Sequence, residues 1–120
     1  MESIASVWPI LPGKLDAWRR FADEMQGARR EEYDASSRRL GTTICRMYHQ
    51  QTPQGDLAVV YLEAADMGRL FQGMATSQDP YDVWFREQVM DIHGWDVTQP
   101  MPGPLPEMVF EWQAGGHSTT

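Results

Sequence analysis

Cysteine is almost missing from this chain. Cys45 is the only one in 120 residues, so no internal disulfide can form and no cysteine pair is available to hold zinc. Long apolar runs are missing too, since none approaches the ~18 residues that a membrane-crossing helix needs. Positive charge is scarce: ten Lys plus Arg against seventeen Asp plus Glu give a net charge of −7, the wrong sign for attracting phosphate backbones or anionic lipid. Neither nucleic acid nor membrane is expected as a partner. There is no GxGxxG, Walker or HExxH pattern and the three histidines are scattered, so no nucleotide cofactor, zinc site or other cofactor is expected. No charged and apolar leader precedes the first strand-like run, which points to the cytoplasm.

What is present suits one globular domain. Hydrophobic residues make up 42% and charged residues 22%, ordinary proportions for a chain that builds a single core. The domain is expected over residues 1–113, with a loose polar tail at 114–120. Seven of the ten basic residues lie within residues 14–40, where six acids nearly neutralise them, as on a solvated helix face with alternating pairs.

Residues 3–10 are β-branched and aromatic with polar alternation, a strand with Pro9 near its end. Leu15, Trp18, Phe21, Ala22, Met25 and Ala28 recur at helical spacing. Beyond Gly27 the stripe thins, so the helix is expected to kink or restart before Gly41. Residues 42–51 and 57–63 read as a hairpin around Thr52-Pro53-Gln54-Gly55-Asp56. The register is expected to pair His49 with Val60, Tyr48 with Tyr61, Met47 with Leu62 and Arg46 with Glu63. Alternation then puts Arg46, Tyr48 and Tyr61 on one face and Cys45, Met47 and His49 on the other.

Asp66 is placed to cap a short helix reaching about Ala75. Asp79 and Pro80 start a stronger helix that runs to His93 and Gly94. A proline-rich strap over residues 99–106 leads to residues 108–112, which alternate as a last strand. The expected order is βαββαβ: an α+β, ferredoxin-like fold with a four-stranded antiparallel sheet and helices on one face.

With that order, the hairpin stretch from Gln50 to Asp56 and the stretches Asp79-Pro80-Tyr81-Asp82-Val83-Trp84-Phe85-Arg86 and Asp91-Ile92-His93-Gly94, the chain resembles the dimeric α/β-barrel superfamily over residues 2–113. It is similar in particular to small bacterial members of uncharacterised function, and more distantly to antibiotic-biosynthesis monooxygenases and polyketide cyclases. The resemblance implies a homodimer whose sheets form a barrel, with a pocket between sheet and helices in each subunit. A bare apolar sheet face would independently ask for a second copy to cover it. The haem-degrading branch uses a strand-one asparagine with a Trp and a His about ten positions apart. This chain has no asparagine, and Trp84 and His93, nine apart, fall on opposite sides of a regular helix.

His93, at a helix end, and His49, which lies in the expected pocket if its hairpin face is the one that meets the helices, are the candidate proton shuttles. Together they suit proton removal next to a carbonyl, as cofactor-free cyclisation or oxidation of a polyketide-like compound needs. The plainer readings are a cation at a helix C-terminus for His93 and a satisfied buried histidine for His49. Trp84 and Trp18 are candidate walls for an aromatic guest, or simply core. Tyr48 and Tyr61 offer hydroxyls to a phenolic ligand or pack as a cross-strand pair, and Arg46 is a substrate clamp or an ion pair with Glu63. The alternative to an enzyme is a non-catalytic, stress-associated dimer that binds a small hydrophobic or aromatic ligand.

Overall fold

The computed structural model describes residues 1–100 and 103–115. The elements are β1 (Glu2–Pro9), α1 (Leu15–Gln26), α2 (Arg30–Leu40), β2 (Thr42–Thr52), β3 (Gly55–Ala64), α3 (Met67–Thr76) and α4 (Pro80–His93). The fold is α+β. Its antiparallel sheet has three strands in the order β1-β3-β2.

Helix boundaries follow local chemistry. The helical pattern of residues 15–40 breaks after Gln26 and restarts at Arg30, so α1 and α2 are separate. Asp66 accepts a hydrogen bond from the Arg69 amide at 3.0 Å, and Asp79 from the Tyr81 amide at 3.0 Å with Pro80 at the first helical position. Such side-chain acceptors satisfy amides that a helix start leaves unpaired. At the other end Gly94 takes the left-handed conformation (φ 71°) and its amide donates to the Met90 carbonyl at 3.0 Å. The Leu11 amide then donates to the Ile92 carbonyl at 2.9 Å, tying the end of α4 to the chain just past β1.

The sheet buries one face. Ile4, Ser6 and Ala58 point toward the helices and are buried, and Cys45, Met47, Val60 and Leu62 share that inner side by strand parity. Ile10, Trp18, Phe21, Met25, Ala58 and Ile92 form one cluster and Ile4, Ala64, Met67 and Leu70 another. Each large side chain fully buried this way contributes roughly 1.5–3 kcal/mol. On the outer side Val7 and Tyr48 stand more than half exposed.

Two expectations need correction. The hairpin register is two residues tighter than expected: His49 faces Ala58, Tyr48 faces Val59, Met47 faces Val60 and Arg46 faces Tyr61. The strands close on Thr52 and Gly55, where the Thr52 hydroxyl donates to the Gly55 carbonyl at 2.8 Å and accepts from the Gln54 amide at 3.2 Å. A slip of two keeps each side chain on its face, so the two expected sets stand, and the structure turns the set with Cys45 and Met47 inward. The second correction concerns the fourth strand. Residues 108–112 form no ladder and are exposed, so the four-stranded sheet and with it the ferredoxin-like order are not formed among the described residues. Alternation makes a segment fit for a strand, but a strand exists only against a neighbouring edge, and this segment pairs with neither edge.

No helix among the described residues is long and apolar enough to cross a membrane. Residues 116–120 of the expected tail lie outside the described residues.

Candidate functional site

Between the inner face of the sheet and the helices lies an apolar cavity of about 120 Å³. One end is bordered by Trp8, Trp95 and His93, the middle by Trp18, Met47 and Tyr81, and the far end by Leu70 and Met74. Trp8 and Trp95 stack with ring centres 4.6 Å apart and planes 13° from parallel. The Trp8 indole is oriented by donating to the Ser6 hydroxyl at 2.9 Å.

His93 is the last residue of α4, and the backbone tie between Leu11 and Ile92 brings it to the end of β1. Its Nδ1 lies 2.8 Å from the Pro9 carbonyl oxygen. A carbonyl only accepts, so Nδ1 carries the proton and the neutral ring keeps its lone pair on Nε2. Burial lowers its pKa below the ordinary 6.5 and outweighs the opposing effect of the Pro9 bond. At neutral pH this is a neutral imidazole of fixed tautomer on the border of the cavity.

Three buried donors around the same space have no hydrogen-bond partner among the described residues: the Trp18 indole, the Tyr81 hydroxyl and the Trp95 indole. An unmet buried donor costs about 1–3 kcal/mol. A guest with acceptor atoms would recover that. Burial, with Asp82 nearby, raises the Tyr81 pKa, which keeps its hydroxyl protonated and a donor.

His49 is placed differently. Its Nδ1 lies 3.0 Å from the Arg19 guanidinium, which can only donate, so Nδ1 accepts. Nε2 must then hold the proton and donate to Asp56 at 2.7 Å. Both ring nitrogens are engaged. His49 touches the far side of Trp18, with ring centres 5.8 Å apart, and does not border the cavity. The two histidines are not brought together.

The remaining candidates separate as well. Trp18 borders the cavity, whereas Trp84 lies behind its wall, against Phe21 and Tyr81 and under the Arg29 guanidinium at 4.1 Å. Tyr61 is on the outer face, where it donates to Glu63 and carries the Arg46 guanidinium 5.7 Å from its ring centre. The expected direct pairing of Arg46 across from Glu63 is thus replaced by a contact with Tyr61. Arg46 and Tyr48 instead border a second, open groove of about 550 Å³ beside β2. This groove shares Trp18, Met25, Tyr33, Cys45 and Met47 with the cavity, which makes those five side chains the partition between the two spaces. Burial pushes the Cys45 thiol up, so it is protonated and a poor nucleophile.

At the far end the Asp82 carboxylate, 4% exposed, accepts from Ser36 at 2.5 Å, Ser77 at 2.5 Å and Arg39 at 3.1 Å. Burial raises its pKa, but those three donors outweigh burial and hold it below the ordinary carboxylate range. The set joins α2, the loop after α3 and α4, and its donors are all spent on that tie. No group of three or more metal-ligating side chains occurs among the described residues.

Sequence reasoning singled out His93 and Trp18 but passed over Trp8, Trp95 and Tyr81 as pocket residues. The three tryptophan and tyrosine donors could have been suspected from type alone, since each must find a partner when buried. Compared with known proteins, the chain matches no family model, no curated protein and no solved structure.

Proposed function

We propose that the chain is a small-molecule enzyme of the dimeric α/β-barrel type, acting without a cofactor on an aromatic or polyketide-like compound with His93 as the proton shuttle. The observation that carries this reading is the His93 ring: neutral, partly buried, its tautomer set by Pro9 so that the lone pair stays on Nε2, and the residue itself on the border of an apolar space. Such a nitrogen removes a proton from carbon next to a carbonyl, leaving an enolate, and returns the proton to the new oxygen once a second carbonyl has been attacked. A monooxygenase-like variant has molecular oxygen as the electrophile: the carbanion adds to it, His93 returns the proton to the peroxide, and loss of water leaves a quinone. The unmet donors of Trp18, Tyr81 and Trp95 supply hydrogen bonds for carbonyl oxygens of the guest.

Size limits the guest. A dry cavity of ~150 Å³ takes one benzene, so a compound of two or three rings has to displace the partition of Met25, Met47 and Tyr33 and extend into the groove beside β2. Methionine is the side chain most easily moved for this. The homodimer belongs to the same reading, because the exposed Val7 and Tyr48 mark the outer sheet face as the surface that a second copy would cover.

Turnover of an anthrone and of a β-polyketone, followed by mass spectrometry, tests this. His93→Gln, which keeps a donor to Pro9 but has no basic nitrogen, should lower kcat about 10²–10⁴-fold while tryptophan quenching by the ligand persists. The apolar lining favours a second reading, a non-catalytic module that sequesters a hydrophobic compound. Quenching with no product from the unmodified protein would select it.

A further inference from the structure

Residues 103–115 are exposed throughout, although they include several large apolar side chains: Val109 is 85%, Phe110 82% and Trp112 73% exposed. At the other side of the sheet β2 pairs only with β3, so its second edge presents eleven residues of backbone with no ladder partner among the described residues. Alongside that edge runs the open groove, whose floor includes Trp18, Ala22, Met25 and Met47 and whose rim carries Gln26, Arg30, Asp34 and Arg46. An open edge next to a groove with an apolar floor and a charged rim, and an exposed segment that alternates apolar residues with Glu107 and Glu111, are complementary deficits.

We propose that residues 107–112 of a second copy of this chain pair along the free edge of β2 and roof the groove, so that the candidate site is closed by its partner. Pro104 and Pro106 have no amide to donate, which sets the start of the pairing at Glu107. From there the segment alternates, with Met108, Phe110 and Trp112 on one side and Glu107, Val109 and Glu111 on the other. Neighbouring strands share their faces. Placing the three large apolar residues over the groove, in line with Cys45 and Met47, puts Glu107 and Glu111 on the outer face with Arg46. The opposite placement would set both carboxylates over Trp18 and Met25 and beside Asp34, which already holds Arg30 at 3.1 Å, and would leave Phe110 and Trp112 on the outer face. The free edge of β1 offers no such match, since its outer face carries Ala5 and Val7 and no cation. The donor is a second copy because the chain's own segment, leaving from the β1 side where Trp95 is stacked on Trp8, is exposed and pairs with neither edge of its own sheet. Reciprocal exchange between two copies buries two such arms.

The inference rests on the edge and the groove, and only its consequence for the ligand depends on the function proposed above. The single native thiol, Cys45, lies on the groove and provides the test. Met108→Cys, Phe110→Cys and Trp112→Cys are oxidised one at a time in the full chain, with Val109→Cys and the unmodified protein as controls. A covalent dimer linked from Cys45 to at least one of the first three, with none from Val109→Cys, is expected. A monomer closed by an intrachain link, no link at any position, or an equal yield from Val109→Cys overturns the proposal. Independently, Glu107→Arg with Glu111→Arg should weaken the dimer at least tenfold, and adding Arg46→Glu should restore it. A dimer indifferent to these charges would leave a sheet-to-sheet homodimer standing and remove the arm. A full chain that stays monomeric at micromolar concentration removes both. Ligand quenching, measured on the same variants, reports on the pocket separately.

Discussion

The His93 Nδ1 and the Pro9 carbonyl oxygen stand 2.8 Å apart, 84 positions distant in sequence, and this one contact decides which nitrogen of the ring is available. It also decides how stability depends on pH. Because the folded protein holds the His93 pKa below 6.5, the unfolded chain binds the proton more readily between the folded value and 6.5. Stability therefore rises with pH through that window and is lost on acidification. His93→Gln removes the titration. The urea midpoint of the unmodified protein should fall more between pH 7.5 and pH 5 than that of the variant, and parallel falls would refute the assignment.

The two histidines should respond differently to the same change. His49 holds Asp56 on one side and accepts from Arg19 on the other, so it has no free nitrogen for chemistry. His49→Gln should cost about 1 kcal/mol of stability, the scale of a partly exposed hydrogen bond, and leave kcat within about twofold. A loss of turnover as large as that of His93→Gln would show that His49 takes part in the reaction.

Asp82 is held by three donors in a nearly dry position, so removing one leaves charge unmet. Ser36→Ala should destabilise the fold by about 1–3 kcal/mol at pH 7. The sign with pH is opposite to that of His93 in origin but alike in direction: a depressed carboxylate contributes stability above its ordinary 3.8 and loses it as pH falls through the folded value. With one donor gone the depression shrinks, so the variant should show a smaller acid-induced loss below pH 4 than the unmodified protein. Denaturant titrations at pH 7 and pH 3.5 check both statements.

The sequence carried the local rules well and the non-local ones poorly. Asp79-Pro80, Gly41 and Gly94 bound their helices where capping chemistry says they should, and Gly27 marks the break between α1 and α2. The two faces of the hairpin are readable from period-two alternation, which survives a register error of two. The register itself is set by the Thr52 hydroxyl bonding around Pro53 and Gln54, a side-chain effect that the turn composition does not reveal. The strand expected at residues 108–112 has the right alternation, yet pairing depends on an edge elsewhere. In the cavity, His93 is suggested by its type at a helix end, but its tautomer depends on Pro9. Trp84 sits on the helical stripe and so looks like a wall, whereas Trp95, beyond the stop at Gly94, reaches the cavity only because it stacks on Trp8.

Gly73 sits where α3 meets Leu40, and a Cβ placed there would come within 2.6 Å of the Leu40 Cδ2. The clash involves the end of a flexible side chain, and Leu40 borders the cavity, so it has somewhere to turn. Alanine gains roughly 0.8–1 kcal/mol of helix propensity over glycine, and the displaced rotamer costs about 0.5–1.5 kcal/mol. Gly73→Ala should therefore leave stability within about 1 kcal/mol of the unmodified protein while moving Leu40 into the space a guest would use. Weaker quenching by an aromatic ligand at nearly unchanged stability is the expected pair of results. Unchanged affinity would mean that the guest does not use the Leu40 end of the cavity, and that binding is confined to the part near Trp8, Trp95 and His93.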